Sequence, residues 1–331
     1  MPAGPSILEV IPHGSVVLAP MAGIADQAFR TICLRHGADF TYSEMVSAAG
    51  VVFGSSRTHS LDIAAPAPGE ARYALQLFGS DPALISEAIA ILESHYSDAI
   101  ALFDLNMGCP VGKVTKKGEG CALMRDPVGA EAIVHAAVEA ASVPVTVKFR
   151  SGWSDEDRNA SEFARRVEAA GASAVCIHPR TRGQLYRGRA DRASIACIVE
   201  AVDVPVYGSG DVFSAEDAQE MFDLGVTAVM VARGAKGNPW IFRRITSALA
   251  GDPPPPEPTL DERFAVIREH VRLAIDLFGE RLAVPRMRKH IAWYLHGLPD
   301  AAEMRREASH PSTQADMEAV LDSFLARLSA H

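Results

Sequence analysis

The run Ile100-Ala101-Leu102-Phe103-Asp104-Leu105 leads directly into Asn106-Met107-Gly108-Cys109-Pro110. The first part has the length and apolar character of a buried strand. The glycine and proline behind it shape a turn that sets a cysteine just past the strand end. In a barrel of parallel strands, that end is where chemistry is done. A cysteine placed there serves as a nucleophile or as a proton donor. The fold is decided by whether this strand-and-turn unit recurs.

It does. Short apolar runs at Val16–Ala19, Phe40–Ser43, Ala74–Phe78, Ala101–Leu105, Val145–Phe149, Ala174–His178, Val204–Tyr207 and Ala228–Val231 read as strands. Amphipathic stretches at Asp26–His36, Pro82–His95, Pro127–Ala141, Asn159–Ala170 and Ala215–Leu224 read as helices between them. Such alternation predicts a parallel sheet, and eight repeats predict an α/β chain built as a (β/α)₈ TIM barrel. Gly37-Ala38-Asp39-Phe40, Gly171-Ala172-Ser173-Ala174 and Gly225-Val226-Thr227-Ala228 echo one another. Each is a glycine that ends a helix before the chain enters a strand.

The run Pro253-Pro254-Pro255-Pro256-Glu257-Pro258 cannot continue a helix and reads as a stiff spacer. Beyond it, Leu260–Phe278, Val284–Leu295 and Asp316–Leu328 show helical periodicity with no convincing strand. The expected organisation is a barrel over residues 1–250, a proline-rich linker over 251–258 and a small helical domain over 259–331.

The chain has 331 residues, 48% hydrophobic and 22% charged, which fits a soluble globular protein with a sizeable core. No apolar stretch approaches the roughly 20 residues of a membrane span, so no membrane association is expected. Met1-Pro2-Ala3-Gly4-Pro5 lacks the basic start and apolar core of a signal peptide, which makes the cytoplasm the expected location. Cysteines stand at 33, 109, 121, 176 and 197, an odd number with no C-x-x-C pair. That argues against a disulfide framework, an iron–sulfur cluster or a zinc site, so no metal is expected. Cys33, Cys176 and Cys197 fall in apolar patterns and read as buried thiols, with Cys121 in a packing role.

Polar or glycine residues gather at the ends of seven of the eight runs. The first ends in Ala19-Pro20-Met21-Ala22-Gly23, the third carries Gln76, and the fourth leads to Asn106 and Cys109. The fifth carries Lys148 and ends at Arg150, and the sixth ends in His178, Arg180 and Arg182. The seventh ends in Gly208-Ser209-Gly210-Asp211 and the eighth in Ala232-Arg233-Gly234. Loops are polar in any case, but Gln76 and Lys148 stand inside strands, where an amide and an ammonium need partners. Barrels often bind phosphate with the loops after their last two strands. There Gly208 and Gly210 let backbone N–H groups approach an anion, and Arg233 adds charge. A phosphate held there, with Gln76 and Lys148 across the mouth, suits flavin mononucleotide (FMN).

These segments resemble the tRNA-dihydrouridine synthases, most closely the bacterial B-type subfamily. The resemblance rests on Ala19–Gly23, Gln76-Leu77-Phe78-Gly79, Asn106–Pro110, Val147–Arg150, His178-Pro179-Arg180-Thr181-Arg182, Gly208–Asp211 and Arg233-Gly234-Ala235. Asn238-Pro239-Trp240-Ile241-Phe242, Arg288-Lys289-His290 and Tyr294-Leu295-His296-Gly297-Leu298 extend it over nearly the whole chain. It departs at Pro179, where glycine is frequent, and at Ser209, where asparagine is frequent.

The resemblance implies reduction of the C5=C6 bond of a specific tRNA uridine to 5,6-dihydrouridine, with FMN as cofactor and NADPH as electron donor. It implies that Pro20, Met21, Ala22, Gln76, Lys148, His178, Ser209, Gly210, Asp211, Ala232 and Arg233 hold FMN. Asn106, Arg150 and Arg180 would meet the substrate, with His178 lining the same side. Cys109 would be the catalytic acid. The chemistry is consistent: C5=C6 of uracil is conjugated to C4=O, so hydride adds at C6 and a proton must reach C5. A free thiol, with a pKa of about 8.5, is mostly protonated near neutrality.

The net charge of −9 argues globally against a polyanion partner, yet the basic residues are clustered. Lys113, Lys116 and Lys117 follow Cys109 in a stretch that reads as a solvated loop or a mobile lid. Arg180, Arg182, Arg187, Arg189 and Arg192 surround Tyr186, and Arg281, Arg286, Arg288 and Lys289 precede Trp293 and Tyr294. Each alone reads as a solvated face; together they suit tRNA phosphates, with Lys113, Arg288 and Lys289 as candidate contacts. From residue 253 on, ten Lys and Arg stand against twelve Asp and Glu, so only one face of the tail can be basic. No obligate protein partner is expected. The alternatives are an FMN barrel oxidoreductase acting on a free pyrimidine or a dihydroorotate-like molecule, and a catalytically idle RNA-binding barrel.

Overall fold

The computed structural model describes residues 5–54 and 57–329. Met1–Gly4, most of the stretch read for a leader signal, lie outside them, as do the last two residues of the expected tail. The strands are β1 (Ser15–Leu18), β2 (Phe40–Thr41), β3 (Val46–Ser47), β4 (Tyr73–Phe78), β5 (Ile100–Met107), β6 (Val145–Arg150), β7 (Ala174–His178), β8 (Val206–Ser209) and β9 (Ala228–Val231). They form one parallel sheet in the order β2-β1-β9-β8-β7-β6-β5-β4-β3. Its two end strands belong to one stretch of chain. Phe40 and Thr41 pair with β1, Tyr42 bridges to Ala74, and Val46 and Ser47 pair with Leu77 and Phe78. That stretch fills a single strand position and closes the sheet into a TIM-like barrel.

The second run is therefore broken where a continuous strand was expected, because its pairing passes from one neighbour to the other. The seventh strand begins at Val206 instead of Val204 and runs on to Ser209. Pro205 has no N–H to give a ladder, which moves the start. The fourth also runs longer, and its register with β6 continues to Met107 opposite Phe149. Asn106 thus belongs to the strand, and the turn begins after it.

Side-chain caps start several of the helices. Asp26 accepts from the Phe29 N–H at 3.0 Å, and Asp81 and Asp126 cap helices that open with Pro82 and Pro127. Gly37, Gly171 and Gly225 lie at φ of 95°, 103° and 89°, so the recurrent turn uses the left-handed conformation open to glycine. Ile7 and Ile11 join Val17, Leu102, Tyr207 and Met230 in the apolar cluster inside the barrel, plugging its amino end. The carboxyl end stays open.

Residues 252–259 carry no regular structure, though Glu257 pairs with Arg244. Helices Leu260–Phe278, Glu280–Tyr294, Ala301–Glu307 and Gln314–Ser329 follow. The second starts earlier than the expected Val284, carrying Pro285 inside it, and the short third was not expected from periodicity. These helices share an apolar cluster that takes in Ala28 and Ile32 of the barrel helix Gln27–Arg35. At the seam, Phe29 stacks on His270 with centroids 5.7 Å apart. Gly237 lies against the Trp293 backbone, where a Cβ would come within 2.3 Å of its carbonyl carbon. Tail and barrel loop therefore touch at backbone distance.

Candidate active site at the carboxyl end of the barrel

A cavity of about 500 Å³ opens at the carboxyl ends of the strands, within the usual range for cofactor sites. Pro20, Met21 and Ala22 line it from the loop after β1, and Gln76 and Asn106 from β4 and β5. Cys109 enters from the turn after β5, with Lys148 and Arg150 beside it from β6 and His178 from β7. Ser209, Gly210 and Asp211 close one side, and Ala232 and Arg233 the next. One cavity therefore gathers side chains from strands far apart in sequence.

Cys109 is half-buried, and the turn that holds it is tied on three sides. Asn106 Oδ1 accepts from the Cys109 and Gly108 N–H groups at 2.9 and 3.2 Å. Arg150 Nε donates to the Gly108 carbonyl at 2.8 Å. The Cys121 N–H donates to the Cys109 carbonyl at 3.0 Å, which joins the turn to the 3₁₀ helix Gly120–Arg125. Burial pushes the Cys109 thiol up, against a smaller lowering by the Val111 backbone and the Arg150 charge. The thiol is thus protonated near neutrality. Cys121 behind it is buried and pushed up by burial to about 12.

The polar side chains form a chain into the barrel. Asn106 Nδ2 donates to Gln76 Oε1 at 2.8 Å, and Gln76 Nε2 donates to Asp104 Oδ2 at 2.6 Å. Thr146 Oγ1 donates to Asp104 Oδ1 at 2.7 Å. Lys148 Nζ reaches Ser209 Oγ at 3.4 Å, so its ammonium stays largely available to the cavity. Burial drives His178 well below the usual imidazole range, helped by the nearby Lys148, Arg150, Arg180 and Arg233 charges, so the ring is neutral.

Asp211 has φ of 53°, a strained value for a residue with a side chain. Its carboxylate pairs with Arg180 and Arg233, each at 2.5 Å, and accepts from the Ala190 N–H at 2.8 Å. Burial would raise its pKa, but the Arg180 bond, the Ala190 amide and both guanidinium charges together hold it low. Arg233 lies 5.3 Å from the Tyr186 ring centre and Arg150 lies 5.4 Å from it, so the exposed Tyr186 is flanked by two guanidinium groups at the mouth.

Several candidate substrate and phosphate contacts lie outside the cavity lining. Arg180 is 1% exposed; its Nε and Nη2 donate to Asp211 and to the Arg187 and Gly188 carbonyls, and its Nη1 lies 3.5 Å from His178 Nε2. It braces the wall of the cavity from behind. Lys113 is exposed on the short helix Gly112–Thr115, outside the lining. Arg288 is bound twice to the Pro311 carbonyl inside the tail, at 3.0 and 2.7 Å. Lys289 donates to the Gly23 carbonyl, tying the tail to the loop after β1. Arg192 is taken up by Asp217 and Glu220, and Arg182 lies over Trp153. The arginine-rich stretch is therefore less of a free basic face than its composition indicated.

Gly208 packs close to Met221 and Val226, where a Cβ would come within 3.1 Å of the sulfur, so its role is packing. Cys33 and Cys176 are buried as expected, whereas Cys197 is exposed, because its short helix Ala193–Val199 buries Ile195 and Ile198 instead. Residues not expected from sequence complete the site. Asp104 anchors the polar chain, and Met45, Phe213 and Lys236 line the cavity. Asp104 had a signal: it is the one carboxylate in an otherwise apolar strand run. Phe213 and Lys236 had none, since both lie in loops.

Among the described residues there is no group of three or more His, Cys, Asp or Glu side chains arranged to hold a metal ion. Nor is any described helix long and apolar enough to cross a membrane.

A family model described as Dihydrouridine synthase (Dus) matches residues 17–329. The tRNA-dihydrouridine synthase B of Pseudomonas aeruginosa is 37% identical over 327 residues, covering 97% of this chain and 97% of that protein. Its counterpart from Shewanella oneidensis is 37% identical over 320 residues, covering 95% and 96%. A probable tRNA-dihydrouridine synthase of Rhizobium leguminosarum bv. phaseoli is 41% identical over 281 residues, covering 85% and 84%.

Proposed function

Because the chain belongs to the dihydrouridine synthase family, we propose that it reduces the C5=C6 bond of a uridine in tRNA to 5,6-dihydrouridine. The observation that carries this reading is the cavity itself. It sets a protonated thiol on a fixed turn beside an ammonium, two amides and a guanidinium. That combination serves an acid that hands a proton to a base held against a bound cofactor.

The residues present fit FMN. The volume of about 500 Å³ admits a flavin, and Met21, Met45, Met230 and Ala232 offer apolar contact for a ring system. Lys148 and Arg233 supply the positive charge that a reduced, phosphorylated flavin calls for. Pro20, Ala22, Gln76, Ser209 and Gly210 complete the proposed cradle, with Asp211 orienting Arg233 and neutral His178 adding no further charge. When bound, FMN would supply the hydride for C6 of the uracil ring, with NADPH as the electron donor.

The chain's own residues do the rest. Cys109 gives its Sγ proton to C5, where charge develops once C6 is saturated. Burial keeps that proton on sulfur until it is needed, and the Arg150 charge favours the thiolate left behind. The thiolate regains a proton from water at the mouth. Asn106 holds the turn and keeps one N–H of its amide for the base. Tyr186 and Phe213, 56% and 52% exposed at the mouth, present ring faces on which a nucleotide can stack.

A base inside a folded RNA reaches such a cavity only when turned out of its stack. Lys236, Lys289 and the lysines at 113, 116 and 117 would then meet backbone phosphates, with the helices after residue 259 as part of the tRNA-binding surface. A cytoplasmic location accompanies this reading.

The test is direct. Unmodified tRNA is incubated with the protein, FMN and NADPH without oxygen, then digested and weighed nucleoside by nucleoside. One uridine position should gain two hydrogens. No gain in any uridine, with a free pyrimidine reduced instead, would contradict the proposal.

A further inference from the structure

Asp104 stands at the inner end of a hydrogen-bond chain whose outer end is the turn of Cys109. The Cys109 and Gly108 N–H groups can only donate, so Asn106 Oδ1 must face them and Asn106 Nδ2 must face away. Nδ2 meets Gln76 Oε1, and Gln76 Nε2 must then point inward, where it meets Asp104 Oδ2. The other carboxyl oxygen accepts from Thr146. An ionised carboxylate only accepts, so it admits this single sense of both amides. A neutral carboxylic acid also carries a donor and no longer enforces this sense from the inner end, which leaves the two backbone N–H groups to hold it alone.

We propose that Asp104 is a positioning residue whose carboxylate fixes the sense of the Gln76 and Asn106 amides and, through them, the turn that carries Cys109. In this sense each amide nitrogen keeps a second N–H for the cavity that both residues line. Inversion would turn oxygens toward ligand carbonyls and release the two backbone N–H groups. The proposal rests on the reading that Cys109 works in this cavity, and it names the residue that holds it there.

The surroundings make Asp104 sensitive. It is 0% exposed, and burial pushes it up to about 6, against lowering by the Gln76 and Thr146 bonds and the Lys148 charge. Tyr42 from the stretch between β2 and β3, Cys176 from β7 and Tyr207 from β8 also face it. Burial raises all three, Cys176 to about 11, so they keep their protons and add no charge of their own near neutrality. Lys148 from β6 is the charged neighbour. The chain is therefore locked above this pKa and loosened below it.

The test reads Cys109 directly. Exposed Cys197 is replaced by alanine, and iodoacetamide labelling of Cys109 in the purified holoprotein is followed by peptide mass from about pH 5 to 8. Corrected for the thiolate fraction, the rate should change once, near the Asp104 pKa. Asp104→Asn, whose amide also carries a donor, should remove that inflection. Thr146→Val deletes one bond to the carboxylate and should move it up by about one pH unit.

A profile without an inflection, or a Thr146→Val profile superimposed on that of the parent, would overturn the proposal. The second variant decides the matter should Asp104→Asn fail to fold. An inflection that moves as stated in a protein unable to reduce tRNA would leave the positioning role standing and remove the functional reading. Reduction of tRNA with a flat labelling profile would do the reverse.

Discussion

Arg150 Nε donates to the Gly108 carbonyl at 2.8 Å, so a side chain at the end of β6 holds the turn that follows β5. The same guanidinium binds the Thr181 and Leu185 carbonyls at 3.1 and 2.8 Å. Arg150 is 3% exposed, and its fork geometry cannot be copied by lysine. Arg150→Lys should therefore misplace Cys109, slowing tRNA reduction by about a hundredfold. Single-turnover rates measure this, with circular dichroism checking the fold.

The pH dependence follows from the thiol. Burial raises the Cys109 pKa above the ordinary thiol value of about 8.5. An acid works while it holds its proton, so the rate should not fall between about pH 7 and 8.5 through loss of this group. A decline in that range that disappears in Cys109→Ser would show that the thiolate is the inactive form and that its pKa is not raised.

His270 and His290 lie edge to face with centroids 4.7 Å apart, both buried at the seam between tail and barrel. Burial lowers His270 to about 3 and His290 well below the usual range, with repulsion from neighbouring His270, were it protonated, and the Lys289 and Lys236 charges adding to the latter. The unfolded chain takes up protons below about pH 6.5 while the folded chain does not, so stability is lost as pH falls from there. By pH 5 the loss should reach about 2 kcal/mol for His270 alone. Denaturant titrations at both pH values test this, and His270→Phe should remove part of the slope.

Gly237→Ala should separate the barrel loop from the tail. The added Cβ would lie 2.3 Å from the Trp293 carbonyl carbon, at a backbone φ of 66°. A loss of about 3 kcal/mol is expected, read as a lower denaturation midpoint. Flavin content should fall with it, since neighbouring Lys236 lines the cavity.

Much of this was legible in the sequence because strand ends are where a barrel presents side chains. The Cys109 turn, Gln76 and Lys148 declared themselves as polar groups in or beside apolar runs. Composition reveals the Arg180 guanidinium but not its partners within the protein. Asp104 reads in the sequence as part of an apolar run. The break between β2 and β3 was hidden because strands of two residues carry no periodicity. The helix Ala301–Glu307 is too short for its period to stand out. Cys197 reads as a core thiol in the sequence because a helix of seven residues leaves its buried face ambiguous.

Binding to tRNA should depend steeply on salt. The exposed lysines near the mouth would replace counterions on the backbone, so affinity should fall at least about tenfold between roughly 50 and 200 mM salt. A dissociation constant that stays flat across that range would remove the phosphate contacts from the account.

The proposed role of Cys109 is to deliver the proton that completes reduction of a tRNA uridine. It is tested by reducing the flavin-loaded protein with NADPH without oxygen, adding unmodified tRNA and following flavin reoxidation in parent and Cys109→Ala. Rapid reoxidation by tRNA is expected in the parent and its loss in the variant, with flavin still bound. Reoxidation at the same rate in Cys109→Ala, or none by tRNA in the parent, would contradict it.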